Sequence, residues 1–397
     1  MVKFAHIADS HLGGWRQPEL FELNMQSFKK AIDISINEKV DFVLFAGDLF
    51  DSAFPPIEIL KETFAEFKKL KEAGIRSFLI AGSHDYSVSG KTFLEVLEKA
   101  GLCEICKYHE TENEVILNPC RYQTIYIYGY PGKKSGLEVK SIKKIKIKEP
   151  YENNFRILML HTTIQEAAPE LPIETVKFAE LPKADYYALG HVHIDFEGEI
   201  NGKKVVYGGP TFPNNFKELE DLKQGSFYIV EINGFTTITK KELAIKEPVY
   251  IEIKIDNALT GTQKILAALS EINLKDKIVL LKVHGDLIVG KPTDINFRGI
   301  QDYVEKSGSY SFLKNTSKLE IEKKEFGVDF QKKDKEKIEE LLIKKFQHEN
   351  PSQFNDLIMP LIEALNLEKQ EDERSATFEA RLYAELSKIL NVELEDK

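Results

Sequence analysis

Short apolar runs alternate with longer stretches of helical spacing through the first 240 residues. Lys3–Ala8 is apolar and short, as a buried strand is, and it stops at Asp9. Glu22–Lys39 places Phe28, Ile32 and Ile36 on one side of a helix. Asp41–Ala46 is a second strand, ending in Gly47-Asp48. Pro55-Pro56 opens a helix that runs to about Ala73, because proline is tolerated in a first turn. Ser77–Ala81 is a third strand, followed by Gly82-Ser83-His84-Asp85. A βαβαβ order of this kind predicts a sheet with parallel neighbours. Further strands are predicted at Thr124–Tyr130, Arg156–Leu160, Tyr186–Gly190, Lys203–Tyr207 and Ser226–Ile232.

Beyond this part the pattern changes twice. From Pro248 to about Lys324, strands at Val249–Ile255, Ile278–His284 and Lys318–Lys324 enclose helices at Thr262–Ile272 and Ile295–Ser307. This predicts a small α+β domain. From about Gln331 to Lys397 only helical spacing remains. Ile338, Leu341, Leu342 and Phe346 make one apolar face, and Phe378, Leu382 and Leu386 another. Pro360 marks a helix start or a kink. This last part has 11 basic and 16 acidic residues, which argues against a DNA-binding tail. Its two apolar faces must meet each other, the rest of the chain, or a partner.

Composition narrows the class. The chain has 397 residues, enough for two or three domains, and 42% hydrophobic with 30% charged residues suits a folded globular protein. It holds no apolar run long enough to span a membrane, and the N-terminus reads as a strand rather than a signal peptide, so an intracellular, cytoplasmic protein is expected. Three cysteines, Cys103, Cys106 and Cys120, cannot build a disulfide framework and are expected to be structural thiols. The net charge of −10 leaves room for a local basic face. Residues 133–148 contain seven lysines and one glutamate. Lys143, Lys144 and Lys146 there suit either a solvated edge that resists aggregation or a strip contacting DNA phosphates.

The chemical signal is where His and Asp fall. Asp9-Ser10-His11, Gly47-Asp48, Gly82-Ser83-His84-Asp85, His161-Thr162 and Gly190-His191-Val192-His193 all follow predicted strands. Ligands of open α/β sheets collect at that edge. Asp9, His11, Asp48, His161, His191 and His193 suit a metal, and mixed carboxylate and imidazole donors favour Mn, Fe, Zn or Co over Ca. Alternation in Asp9/His11 and His191/His193 points each pair to one side of an extended segment. Two Asp and four His exceed the needs of one tetrahedral site, so two ions are expected, with Asp48 able to bridge them.

The ordered series DxH…GD…GxHD…H…GHxH resembles the calcineurin-like metallophosphoesterase superfamily over roughly residues 1–235. KFAHIADSHLG, FVLFAGDLFD and ALGHVH are most similar to the DNA double-strand-break repair nucleases of the "meiotic recombination eleven" type. The resemblance implies a two-sheet sandwich flanked by helices at 1–240, a small α+β capping domain at 248–325 and a helical docking segment at 331–397. It implies a nuclease using two divalent ions, most suitably Mn²⁺, acting on DNA ends. It also implies homodimers, a nucleoid location, and an ABC-type coiled-coil ATPase that docks on the C-terminal helices. Asp9, His11 and His193 would hold the first ion, His161 and His191 the second, and Asp48 would bridge. His84 would stand near the scissile phosphate, with Asp85 orienting its ring. Two departures stand out. Ser83 replaces an asparagine ligand of the second ion, and Asp51 replaces a histidine associated with exonuclease action. A phosphoesterase of small molecules or phosphoproteins, or a weakened DNA-end scaffold, are the alternatives.

Overall fold

The structure is a computed structural model, and it describes residues 1–87, 92–147, 154–321, 343, 355–370, 373 and 375–391. The chain forms two compact units, Met1–Glu322 and Lys323–Lys397. In chain order the first unit begins β1 (Val2–Ile7), α1 (Pro18–Asn37), β2 (Phe42–Ala46), α2 (Ile57–Glu72), β3 (Arg76–Ile80) and α3 (Phe93–Lys99). Short strands follow: β4 (Glu104–Ile105), β5 (Tyr108–Glu110), β6 (Val115–Leu117), β7 (Cys120–Tyr122) and then β8 (Ile125–Tyr130). Next come α4 (Glu138–Ile142), β9 (Ile145–Lys146), β10 (Phe155–His161), β11 (Tyr186–Gly190), β12 (Phe196–Ile200) and β13 (Lys203–Tyr207). The remainder is α5 (Phe216–Leu222), β14 (Gly225–Asn233), β15 (Phe235–Leu243), β16 (Pro248–Lys254), α6 (Ala258–Ser270), β17 (Ile278–Leu287), α7 (Phe297–Lys306) and β18 (Ser311–Ile321).

Two six-stranded sheets stack, as the family resemblance implies. One runs β15-β14-β1-β2-β3-β4 and the other β12-β13-β11-β10-β8-β7. Strand alternation explains the packing. Phe42, Leu44 and Ala46 of β2 face the second sheet, where Ile157, Met159, Tyr186 and Ala188 meet them, while Val43 and Phe45 face the helices with Phe28 and Phe67. Both faces are covered, so the central strands read as continuous apolar runs rather than alternating ones. The outer face of the second sheet has its own core around Tyr128, Leu158, Leu160, Tyr187 and Tyr207.

The smaller sheet, β16-β17-β18, is parallel throughout, with α6 and α7 as crossovers. This refines the α+β expectation, since parallel neighbours need a crossover and helices supply one each time. β18 starts at Ser311, earlier than the predicted Lys318. The sheet shares a core with the sandwich: Ile278, Leu280 and Leu313 pack with Trp15, Leu20, Leu23, Phe212 and Leu219.

In the second unit, Ile358–Leu365 and Ser375–Leu390 are helices. Pro360 sits in a first turn, so it marks a start rather than a kink. The predicted face of Ile338, Leu341, Leu342 and Phe346 lies outside the described residues.

Candidate metal centre

Five loops leave the carboxyl ends of neighbouring strands and converge. Asp9 and His11 follow β1, Asp48 follows β2, Ser83, His84 and Asp85 follow β3, His161 ends β10, and His191 and His193 follow β11. Asp9, His11, Asp48 and His161 are all at most 2% exposed. The convergence is produced by backbone turning, not by the extended alternation expected from sequence. Asp9, His11, Asp48 and His191 have φ of 52, 41, 48 and 97°, in the left-handed region that L side chains avoid. Backbone bonds from Asp9 N to Gly47 O (3.1 Å) and His11 N to Asp48 O (2.9 Å) hold two of these turns. Each such residue costs about 1–3 kcal/mol, and such strain concentrates at functional sites.

Among the described residues the donors form three groups, and the third, His11, Asp48 and His84, shares a residue with each of the other two. In Asp9, His11 and His193, and again in Asp48, His161 and His191, the ligand atoms lie within 4.8 Å of one another. His11 and His193 bring their Nε2 atoms to 3.0 Å. Asp9 Oδ1 accepts from the His191 N–H at 2.8 Å, but its Oδ2 is buried with no hydrogen-bond partner. His161 Nε2 is likewise buried without a hydrogen bond, although Asp48 Oδ2 is 3.0 Å away, a close approach not aligned as one. Buried polar atoms are ordinarily satisfied. Orphaned oxygen and imidazole nitrogen among converging donors fit a pair of divalent ions.

Outer partners set the imidazoles. His161 Nδ1 lies 3.0 Å from Ala46 O, and a carbonyl can only accept, so Nδ1 donates and Nε2 faces the centre. His193 Nδ1 donates to Glu218 Oε1 at 3.0 Å, and His11 Nδ1 to Asp51 Oδ1 at 3.2 Å. The rings are packed as tightly as they are bonded. A Cβ on Gly47, itself at φ +91°, would stand 2.2 Å from His161 Nδ1, and one on Gly132 would stand 2.5 Å from His161 Cδ2.

The residues after β3 take distinct parts. His84 is half-exposed, and its Nδ1 donates to the Asp51 carbonyl at 2.8 Å, leaving Nε2 available. Its backbone N–H donates to Asp48 Oδ1 at 2.7 Å. Asp85 does not orient the His84 ring as expected. Its buried carboxylate accepts from the N–H groups of Leu49 (3.1 Å), Phe50 (2.9 Å) and Gly82 (3.0 Å), clamping the Asp48 loop to the Ser83 loop. Burial and the nearby Asp48 charge push it up to about 6 against those three donors. Ser83 Oγ reaches Asp48 Oδ2 at 3.4 Å. A cleft of about 340 Å³ opens on the centre, lined by His11, Asp48, Ser83, His84, His191, His193 and Glu218, with Leu171 and Ile173 at its edge.

Residues 2–195 match the family described as Calcineurin-like phosphoesterase. Over 266 residues the chain is 33% identical to the DNA double-strand break repair protein Mre11 of Methanocaldococcus jannaschii, spanning 64% of this chain and 70% of that one. The chain belongs to the Mre11 family. It is 27% identical over 344 residues to the Mre11 of Sulfurisphaera tokodaii, spanning 81% and 83% of the two chains. With the Mre11 of Sulfolobus acidocaldarius it is 27% identical over 331 residues, spanning 79% and 82%. As an Mre11-family member with this donor set, it is a metal-dependent phosphoester hydrolase with a dinuclear divalent site.

Electrostatics ready this Mre11-family centre for cations. Burial favours a neutral Asp48, but the charge and contact of His161, with His11 and the His84 N–H behind them, hold the carboxyl well below the usual range. Burial and the neighbouring His161 push His191 down to about 4, leaving it a neutral donor at neutral pH. Burial opposes charge on His161, yet Asp48 and Asp9 outweigh it and lift the imidazole to about 10. An ion held through His161 needs its neutral imidazole, so metal and proton compete for the same nitrogen. Loading Mn²⁺ should release protons, and affinity should fall as pH falls; calorimetry in buffers of different ionisation enthalpy would detect this. Identical heats in all buffers would contradict it.

Several sequence expectations found other partners. Lys143 pairs with Glu180 (3.5 Å), Lys146 with Glu114 (3.1 Å), and Lys144 donates to the Glu112 carbonyl (2.6 Å). Cys103, Cys106 and Cys120 are free thiols, the latter two buried with Sγ atoms 3.8 Å apart. Glu218 and Gly132 carried no sequence signal. Glu218 sits far from the histidine motifs, on a helix too short to show periodicity, and Gly132 follows a strand without a His or Asp beside it.

Proposed function

We infer that this chain is a dinuclear-metal-dependent DNA nuclease of double-strand-break repair. The observation that carries the reading is the set of six converging donors, two of them with orphaned buried atoms, beside a half-exposed histidine that lines an open cleft. Asp9, His11 and His193 would hold one ion, His161 and His191 the other, with Asp48 between. When bound, the ions supply charge for the scissile phosphate and an acidified water as nucleophile. Mixed oxygen and imidazole donors suit Mn, Fe, Zn or Co, and Mn²⁺ is the ion we propose. The chain's own contribution is His84. The Asp51 carbonyl fixes the ring through Nδ1–H, so Nε2 of the neutral ring accepts a proton, and in the imidazolium form it can donate to a phosphate oxygen or protonate the leaving 3′ oxygen.

The test is labelled DNA with Mn²⁺, Mg²⁺ and EDTA. Cleavage with Mn²⁺ and none with EDTA is expected. Hydrolysis of bis-p-nitrophenyl phosphate without DNA cleavage would favour a small-molecule phosphoesterase, and metal binding without any hydrolysis would favour a scaffold. Ser83→Asn should tighten the second ion, because an amide carbonyl is a better donor than a neutral hydroxyl; unchanged Mn²⁺ affinity would remove that idea.

Residues 1–240, 248–325 and 331–397 are taken as nuclease, cap and docking parts. In the C-terminal helices Leu365, Tyr383 and Leu390 remain exposed, which suits an apolar partner surface on a coiled-coil ABC ATPase. The exposed Phe54 and Ile57 at the start of α2 suit a homodimer contact. Among the described residues no helix is long and apolar enough to cross a membrane. Action on chromosomal ends would place the protein inside the cell at the nucleoid. DNA contact by the lysine strip requires Lys143, Lys144 and Lys146 to leave their present partners. Neutralising all three should flatten the salt dependence of DNA affinity by up to about three charges' worth of slope. An unchanged slope would leave them as guards of an edge.

A further inference from the structure

The outer partners of the first metal group share one origin. Glu218 Oε1 holds His193 Nδ1 at 3.0 Å, and Asn214 Nδ2 reaches Asp51 Oδ1, the partner of His11, at 3.5 Å. Glu218 is itself seated: its Oε2 accepts from Asn214 N at 2.8 Å, its Oε1 from Asn215 Nδ2 at 2.5 Å, and its own N–H donates to Asn215 Oδ1 at 3.0 Å. The next two residues point to the smaller sheet. Leu219 is 1% exposed and packs with Ile278, Leu280 and Leu313. Glu220 pairs with Lys282 of β17 at 3.6 Å. Three successive side chains thus join a metal-ligand imidazole to the sheet that caps the molecule.

We propose that Glu218 is a positioning residue for the first metal ion, and that α5 seats it against the smaller sheet. The inference rests on the dinuclear reading of the site. Physically, the carboxylate fixes the tautomer and direction of His193 and makes its Nε2 a stronger donor; loss of such a partner ordinarily weakens a metal by about 10–100-fold. Leu219 keeps the carboxylate in register, because a packed apolar side chain resists displacement of the helix turn that bears it.

The experiment is direct Mn²⁺ titration of the full chain by calorimetry, with electron paramagnetic resonance to count bound ions. Wild type should bind two ions. Glu218→Gln keeps an acceptor oxygen but loses the charge, and should weaken one ion by about tenfold; Glu218→Ala should approach 100-fold. The second ion should be unaffected, and excess Mn²⁺ should restore DNA cleavage, which a merely misfolded variant would not allow. Leu219→Ala should weaken the same ion by a few-fold. If Glu218→Ala fails to fold, Glu218→Gln decides. Wild-type affinity at both sites in folded Glu218→Gln overturns the positioning role, and wild-type affinity in Leu219→Ala overturns the seating by the smaller sheet. A wild-type chain that binds fewer than two ions overturns the metal reading itself, and this inference with it.

Discussion

Asp48→Ala should abolish binding of both ions and lower DNA cleavage by on the order of 10⁴-fold, since a dinuclear centre contributes several kcal/mol and each 1.4 kcal/mol is tenfold. The reason is position. Asp48 Oδ2 lies 3.0 Å from His161 Nε2 and 3.6 Å from His11 Nε2, one from each donor group. Its Oδ1 also accepts the His84 N–H, so the same carboxylate sets the loop that presents His84. Asp9 Oδ1 also reaches both groups, but more loosely, at 3.8 Å from His161 Nδ1 and 4.0 Å from His193 Nε2. Asp48→Asn separates charge from shape: it should keep the fold and still lose most Mn²⁺. Measurement is metal content by atomic absorption with cleavage of labelled DNA. An alanine variant that retains two ions, or still cuts with Mn²⁺, would remove the bridge.

His84→Ala should slow cleavage by about 10²–10⁴-fold with both ions retained, the range for one general acid or base. The ring is half-exposed on the cleft, bonds through Nδ1 to the Asp51 carbonyl and packs edge-on against His11, while six other residues would supply the metal donors. His84 does stand near His11 and Asp48 closely enough to be a donor itself. Metal content therefore decides its role: ions lost together with rate would make His84 a ligand, not a proton donor. A His84→Gln variant, which keeps a donor but cannot shuttle a proton, should recover little of the loss if protonation of the leaving group is its work.

Much of the fold was legible because buried parallel strands must be apolar on both faces. Phe42–Ala46 and Arg156–Leu160 are such runs, and Gly or His directly after them marks the active edge. Edge strands were missed for the converse reason: Phe196–Ile200 and Phe235–Leu243 alternate with Gly, Glu, Thr and Lys and look like loops. The donors were legible from position alone, but the reason offered for their convergence was not, since left-handed turns at Asp9 and His11 leave no mark on residue type. Asp85 shows another limit. A carboxylate beside a histidine suggests a pair, yet three backbone N–H groups outcompete one ring. Glu218 was invisible because the contact to His193 spans two strands, the turn between them and a loop, and nothing local announces it.

The apolar cluster of Trp15, Leu20, Leu23, Phe212 and Leu219 with Ile278, Leu280 and Leu313 bears on how such proteins can be recombined. A chimera that borrows residues after about 248 from a relative must bring a surface complementary to this cluster, or carry matching changes in the first helix. Drift on one side obliges drift on the other, so these eight positions should vary together even where the intervening chain varies freely.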